Sequence, residues 1–284
     1  MELLNADNGM SPAWSPDGSR VAFLSNRLEG WDLYTMALDG SDVLQLTTGR
    51  SPERPAWSPD SASIVFERDR AIDVVPALGG EARTLMPDAG WGSAPAFSPT
   101  GASFPRATRQ QTASFPRATT QQKSRLVFVH EGSLHLLSPD GFTQFDDVTQ
   151  LTSGGADATP SWSPDGETIV FSRAGALWIV EVATGTEKRL TEGSEDVEPA
   201  WSPAGSAVVF VRASELWLID LEVRTPRPLS GLPRPAGSPS WSPDAAYLLF
   251  HAHVDGNWEI FTAAADGSAL AQVTKATWIS GRVD

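Results

Sequence analysis

The sequence predicts an all-β fold: a six-bladed β-propeller of four-stranded antiparallel blades around a central channel. Three observations predict it. A short phrase built on proline and an aromatic residue returns six times. Each return is followed by the same succession of short apolar strands and turns. No segment shows sustained helical periodicity.

The phrase reads Pro12-Ala-Trp14-Ser-Pro16, Pro55-Ala-Trp57-Ser-Pro59, Pro95-Ala-Phe97-Ser-Pro99, Pro160-Ser-Trp162-Ser-Pro164, Pro199-Ala-Trp201-Ser-Pro203 and Pro239-Ser-Trp241-Ser-Pro243. Successive aromatic residues are 43, 40, 65, 39 and 40 positions apart. With one outlier, the unit is about 40 residues long, the size of a four-stranded propeller blade.

Within a unit, Ser-Pro leads into a turn such as Asp17-Gly18 or Asp165-Gly166, where Asp bonds back to the backbone and Gly accepts positive φ. An apolar strand ending in Phe follows: Val21-Ala22-Phe23, Ile64-Val65-Phe66, Leu126-Val127-Phe128, Ile169-Val170-Phe171, Val208-Val209-Phe210 and Leu248-Leu249-Phe250. A third strand comes next, as in Leu33-Tyr34-Thr35-Met36 or Leu177-Trp178-Ile179, then hairpin turns such as Asp39-Gly40 and Asp266-Gly267. Leu46-Thr47, Leu151-Thr152, Leu190-Thr191 and Val273-Thr274 mark fourth strands. A lone meander cannot bury both faces; radial packing of blades covers both and leaves few exposed edges. The eleven Trp suit the inter-blade core. Each buries roughly 150–250 Å². The six phrases should lie on the strands nearest the axis, and Leu3-Leu4 could pair at the edge of blade six.

The run P-x-W-S-P-D-G, an I-A-F-like strand and then L-T resembles the repeat of TolB-like propellers over nearly the whole chain. Departures are local: Phe97 stands for Trp, Thr100 and Ala204 for the turn Asp, and Leu85-Met86 for Leu-Thr. The resemblance implies the fold more than a function. Similar propellers serve as the Pal-binding part of TolB, as gating domains beside peptidases of the prolyl oligopeptidase type, and in sugar lyases. They are often periplasmic or secreted, and the compartment of this chain stays open.

One blade is interrupted. From the Ser-Pro aromatic residue to the strand-ending Phe the distance is nine in five blades, but 31 from Phe97 to Phe128, an excess of 22. The segment 103–124 accounts for it as a tandem of SFPRATRQQTA and SFPRATTQQKS. It belongs to the turn between the first and second strands of blade three, and its removal puts Arg125 where Arg20 stands. It carries Arg106, Arg109, Arg117 and Lys123 and no acid. It reads either as a duplicated surface loop or as a recognition arm or graft, whose anchors would be Phe104, Arg106, Phe115 and Arg117. The chain, 1–284, otherwise reads as a single propeller domain.

Composition narrows the partners. A net charge of −14 argues against a general nucleic-acid binder, which needs a basic surface to displace counterions. No apolar run approaches the ~18 residues of a membrane span. With no cysteines there is no disulfide, thiolate metal site or cysteine nucleophile. The opening Met1-Glu2-Leu3-Leu4-Asn5 has neither a basic region nor an apolar signal core, which fits a cytoplasmic protein or the loss of a leader or neighbouring domain. A monomer is expected.

Meander geometry assigns the faces. Second-to-third strand turns and inter-blade connections lie around one mouth of the channel, the usual ligand face. That face should gather Arg27, Arg68, Arg70, Arg173 and Arg212 from the turns, and Arg50, Glu53, Arg54, Glu192, Glu195, Asp196 and Glu198 from the connections. They form either a solvated charged rim or a docking site for an anionic or peptide ligand. Arg27, Arg54, Arg68, Arg173, Arg212, Glu195 and Asp196 are the candidate partner-binding residues.

Catalytic signals are sparse. There is no G-x-S-x-G elbow and no phosphate loop. No acid pair stands out for glycoside chemistry. Of four His, His251 and His253 share a strand face, and His130 flanks a hairpin to His135. His135 aligns with Tyr34, Trp178, Trp217 and Phe261 and reads as a polar occupant of an aromatic column. Oligogalacturonate lyases resemble this fold and use a His-rich metal site, but no matching ligand set can be assigned, so no metal or cofactor is expected. The expected function is a non-catalytic protein- or peptide-binding module using the channel-mouth face. The alternatives are a metal-dependent lyase or hydrolase with a site in the channel, or a regulatory propeller from a larger peptidase or sensor protein.

Overall fold

A computed structural model describes residues 4–5, 8–28, 30–49, 51–90, 93–99, 125–137 and 148–275. The tandem segment 103–124, with Phe104, Arg106, Phe115 and Arg117, lies outside the described residues, as does Arg50. The described residues form six four-stranded antiparallel sheets and one short parallel pair of strands, with no helix among them. This is the six-bladed propeller expected. Its first strands are Gly9–Trp14, Glu53–Trp57, Ala96–Phe97, Asp157–Trp162, Asp196–Trp201 and Ala236–Trp241. Each packs beside the next around the axis, and the last packs beside the first.

Each blade is pinned by the Phe that ends its apolar run. Phe23, Phe66, Phe128, Phe171, Phe210 and Phe250 are at most 1% exposed. A Phe→Ala change at such a site costs about 3–5 kcal/mol. Across the sheet they face Tyr34, Asp73, His135, Trp178, Trp217 and Phe261. His135 thus occupies the aromatic column, as its alignment predicted. Blade two departs from the rule, with Asp73 fully buried in that column.

Four of the Ser-Pro turns share one hydrogen-bond scheme. Ser15, Ser58, Ser163 and Ser242 each donate from Oγ to the Asp two residues on, at 2.5–2.7 Å, and accept the N–H of the residue five on, at 2.9 Å. The Ser163 hydroxyl and the Glu167 N–H hold the Asp165 carboxyl below its ordinary range, because both bonds favour the charged form. In blade three, Ser98 Oγ accepts the N–H of Arg125, 27 residues on. The strands flanking the tandem segment pair as Ala96↔Val127 and Phe97↔Leu126, equivalent to Ala13↔Ala22 and Trp14↔Val21 in blade one.

The seams between blades alternate in chemistry. The indole N–H groups of Trp57, Trp162 and Trp241 donate across a seam to the carbonyls of Ala13, Ala96 and Ala200, at 3.0, 3.0 and 3.1 Å. At two of the other seams the bond runs from backbone to side chain. The N–H of Trp201 reaches Ser161 Oγ at 3.0 Å, and the N–H of Trp14 reaches Ser240 Oγ at 3.2 Å. The choice of Ala or Ser inside the phrase therefore sets the seam. At the seam between blades two and three, Ala56 has no hydroxyl and Phe97 no indole, so neither bond can form.

The ring closes between blades six and one. Leu4–Asn5 pairs in parallel with Thr274–Lys275. The Trp258 N–H reaches Asn8 Oδ1 at 2.9 Å. The edge pairing expected near Leu4 is present.

Candidate functional site

The central channel is a cavity of about 540 Å³ lined by all six phrases. Its walls are mostly proline rings, tryptophan edges and alanines, so they are apolar and stiff. The first strands make it so. In blades one, two, four, five and six the pairing with the second strand slips just before the phrase, a β-bulge. The residue before the first Pro takes a left-handed conformation in all six blades, with φ between 39° and 51° at Ser11, Arg54, Ala94, Thr159, Glu198 and Ser238. All six line the channel. A non-glycine residue pays roughly 1–2 kcal/mol for that conformation. The same cost, repeated six times, produces a ring of side chains at the channel.

Two members of the ring are charged. Arg54 in blade two and Glu198 in blade five stand three steps apart on a six-membered ring, hence on opposite sides of the channel. Glu198 Oε2 accepts the Ser238 N–H at 2.7 Å. Its other carboxylate oxygen has no partner among the described residues. The Arg54 guanidinium, half-buried, has no acid partner among them.

The other candidate arginines are held elsewhere. Arg173 pairs with Asp157 at 2.5 Å and with Glu187, and lies over the rings of Phe171 and Trp178. Arg212 pairs with Asp196 at 2.5 Å and lies over Phe210 and Trp217. Both guanidiniums have raised pKa values, chiefly through the hydrogen bonds to these acids. Arg68 pairs with the buried Asp73, and Arg27 lies over Phe23 and Tyr34. None of these four lines the channel. Asp196, expected on a solvent-facing connection, is 0% exposed. Asp196 opens a first strand opposite Arg212, which draws it inward. Glu195 is exposed and stands outside the channel lining.

A buried threonine completes the Asp157 and Asp196 sites. Thr191 accepts the Leu177 N–H at 2.9 Å and donates to Asp196 Oδ2 at 2.5 Å. Thr152 accepts the Leu134 N–H at 2.8 Å and donates to Asp157. So Thr from one blade, Asp from the next and its Arg form a relay that ties neighbouring blades. In blades one and six the acid comes from the same blade: Thr47 bonds Asp32 at 3.0 Å, and Thr274 bonds Glu259 at 2.7 Å.

Histidines stand near both the closure and blade three. His251 Nδ1 accepts the Ser11 N–H at 3.2 Å, across the closing seam. Burial pushes its pKa down to about 4. His251 and His253 flank the Trp258 ring rather than each other. Among the described residues, no group of three or more His, Asp or Glu side chains is placed to hold a metal ion.

Sequence reasoning placed Arg54 and Glu198 on connections around the mouth and missed the ring to which they belong. Its signal is positional: the residue immediately before the first Pro of each phrase. No helix among the described residues is long and apolar enough to cross a membrane.

The family described as dipeptidyl peptidase IV (DPP IV) N-terminal region matches residues 140–198, about a fifth of the chain. No curated protein matches. Among solved structures, the chain is similar to TolB from Acinetobacter baumannii, with a TM-score of 0.68 and 18% identity over 91% of this chain and 67% of that one. It is also similar to an oligogalacturonate lyase in complex with manganese, at a TM-score of 0.54 and 15% identity over 96% and 90% of the two chains. A chain of the nidogen/laminin complex is similar at a TM-score of 0.58 and 13% identity, over 78% of this chain and 79% of that one. At these identities the likeness is one of fold.

Proposed function

We propose that this chain, a TolB-like six-bladed propeller, is a non-catalytic module that binds an extended protein or peptide segment at the mouth of its channel. The observation that supports this most is the charge arrangement of the ring. Arg54 faces the channel without an acid partner among the described residues, while Arg68, Arg173 and Arg212 are each bound to an acid. An unpaired, half-buried guanidinium in an apolar, proline-walled cavity suits a carboxylate, which it can hold through two parallel bonds. Glu198 on the opposite wall offers an acceptor to a backbone or side-chain donor of the same segment. Rigid proline walls lower the ordering cost of binding, because little has to be fixed on the receptor side.

The test is a selection of random peptides displayed on phage against the purified propeller, followed by affinity measurement of the winners. Binding peptides should carry a carboxylate, compete for one site, and lose at least ~10-fold in affinity to the Arg54→Glu variant, as for loss of a buried charged contact. Winners that bind Arg54→Glu as tightly as the parent would remove the channel mouth from the reading. The lyase alternative rests on fold likeness. It predicts a stoichiometric metal ion in the channel and cleavage of an acidic polysaccharide.

A further inference from the structure

We propose that His130 and His135 form a two-imidazole site for one divalent transition-metal ion of the zinc type, on the second-to-third strand hairpin of blade three. The two residues hold positions that carry a different pair elsewhere. In blades four and five the same diagonal across the hairpin is occupied by Arg173 over Trp178, at 5.1 Å, and by Arg212 over Trp217, at 4.5 Å. Blade three replaces both members of that cation–π pair with histidine.

The hydrogen bonds fix how these imidazoles present themselves. His130 Nδ1 lies 2.8 Å from the Ala89 carbonyl oxygen, and His135 Nδ1 lies 3.1 Å from that of Ser133. A carbonyl only accepts, so each Nδ1 carries the proton. The lone pair of each neutral ring is then on Nε2. This is the arrangement that orients metal-binding histidines, in which the second ring nitrogen donates to a carbonyl.

The separation fits as well. Two imidazoles bound through Nε2 at ~2.0–2.1 Å to one tetrahedral ion have ring centres roughly 5–5.5 Å apart. The His130 and His135 rings are 5.5 Å apart and inclined at 82°. Both side chains are half-exposed, and the exposed Glu131 at the hairpin tip adds a negative charge near His135. Imidazole nitrogens suit zinc, nickel and copper(II), rather than magnesium or calcium. Water would fill the remaining positions, so binding should be weaker than at a closed four-ligand site.

Chelator-treated protein should be titrated with Zn²⁺ and, separately, with Ni²⁺. The imidazole proton resonances of all four histidines are followed by NMR. One equivalent should shift or broaden the signals of His130 and His135 together and leave those of His251 and His253 in place. Excess Mg²⁺ should not compete. His130→Arg and His135→Trp install the residues of blades four and five and should each keep the fold while weakening binding at least ~10-fold. His253→Ala should bind as the parent does. Absence of saturation by ~1 mM zinc at pH 7 would overturn the site. So would binding that survives His135→Trp in a variant with an unchanged melting curve.

Discussion

Ser98 Oγ accepts the Arg125 backbone N–H at 2.9 Å across 27 residues of chain, as Ser15 Oγ accepts the Arg20 N–H at 2.9 Å across five. The turn of blade three therefore keeps the bond that closes four of the other five turns, with 22 residues placed between its two sides. Deleting 103–124 should leave a folded propeller. Shortening that loop changes closure entropy by no more than ~1–2 kcal/mol. A thermal melt of the deletion variant beside the parent checks this. A midpoint lowered by more than ~10 °C, several kcal/mol for a chain of this size, would mean that the tandem packs on the blades.

The Thr–Asp–Arg relays should be costly to break. Asp196→Ala would leave the Arg212 guanidinium, in its partly buried position, without its carboxylate and Thr191 without its acceptor. Removing one partner of such a pair costs about 3–5 kcal/mol. Thr191→Val, which keeps the shape, should cost less, about 1–3 kcal/mol, since it leaves the Leu177 N–H unpaired. Urea denaturation of both variants gives the order; a Thr191→Val cost equal to or above that of Asp196→Ala would refute it.

Stability should fall with acid through His251. Its folded pKa is pushed down to about 4 by burial, against an ordinary value of 6.5. The unfolded chain takes up a proton below 6.5, and the folded chain only near 4. The contribution of the neutral ring is thus complete above pH 6.5, declines as the pH drops toward 4, and is flat below. At ~1.4 kcal/mol per pKa unit the full loss is at most roughly 3.5 kcal/mol. The His251 ring and the Glu198 carboxylate both flank Gly237, and His253 lies beyond Trp258. His251→Gln retains an acceptor for the Ser11 N–H and does not titrate. Melting points across this pH window should vary less for His251→Gln than for the parent. Equal slopes would assign the acid sensitivity to other groups.

The seam between blades two and three should be improvable. Phe97→Trp would offer an indole N–H to the Ala56 carbonyl, as Trp57 does to Ala13. One added bond is worth about 1 kcal/mol, a gain of ~2–4 °C for a chain of this size. Differential scanning calorimetry reads it, and a lowered midpoint would show that the extra ring volume does not fit.

What could be read in advance follows from periodicity. The blades, the Ser-Pro turns, the closing edge and the place of the tandem segment all lie in spacings, and spacings are visible in one chain. The partners of the arginines are not. Arg173 and Asp157 face each other only because the first strand of blade four slips by a bulge between Ala158 and Ser161. The same type of bulge turns Arg54 and Glu198 into the channel instead of leaving them on the rim. Spacing does not reveal these pairs either: Leu-Thr-x-Gly ends blades one, three and four alike, yet a side chain at Gly154 or Gly193 would meet the Arg173 guanidinium or the Asp196 carboxylate, while Gly49 has open space around it.

The alternation of Ala and Ser in the phrase has a mechanical corollary. The indole bonds join blade one to two, three to four and five to six, so the ring behaves as three doublets with different joints between them. Two of those joints carry a serine bond, and the third, between blades two and three, carries neither. A propeller assembled this way has a built-in direction of strain. Stress that widens the ring would concentrate at the joint beside Phe97, and the other five joints would hold the six blades as one arc that opens there.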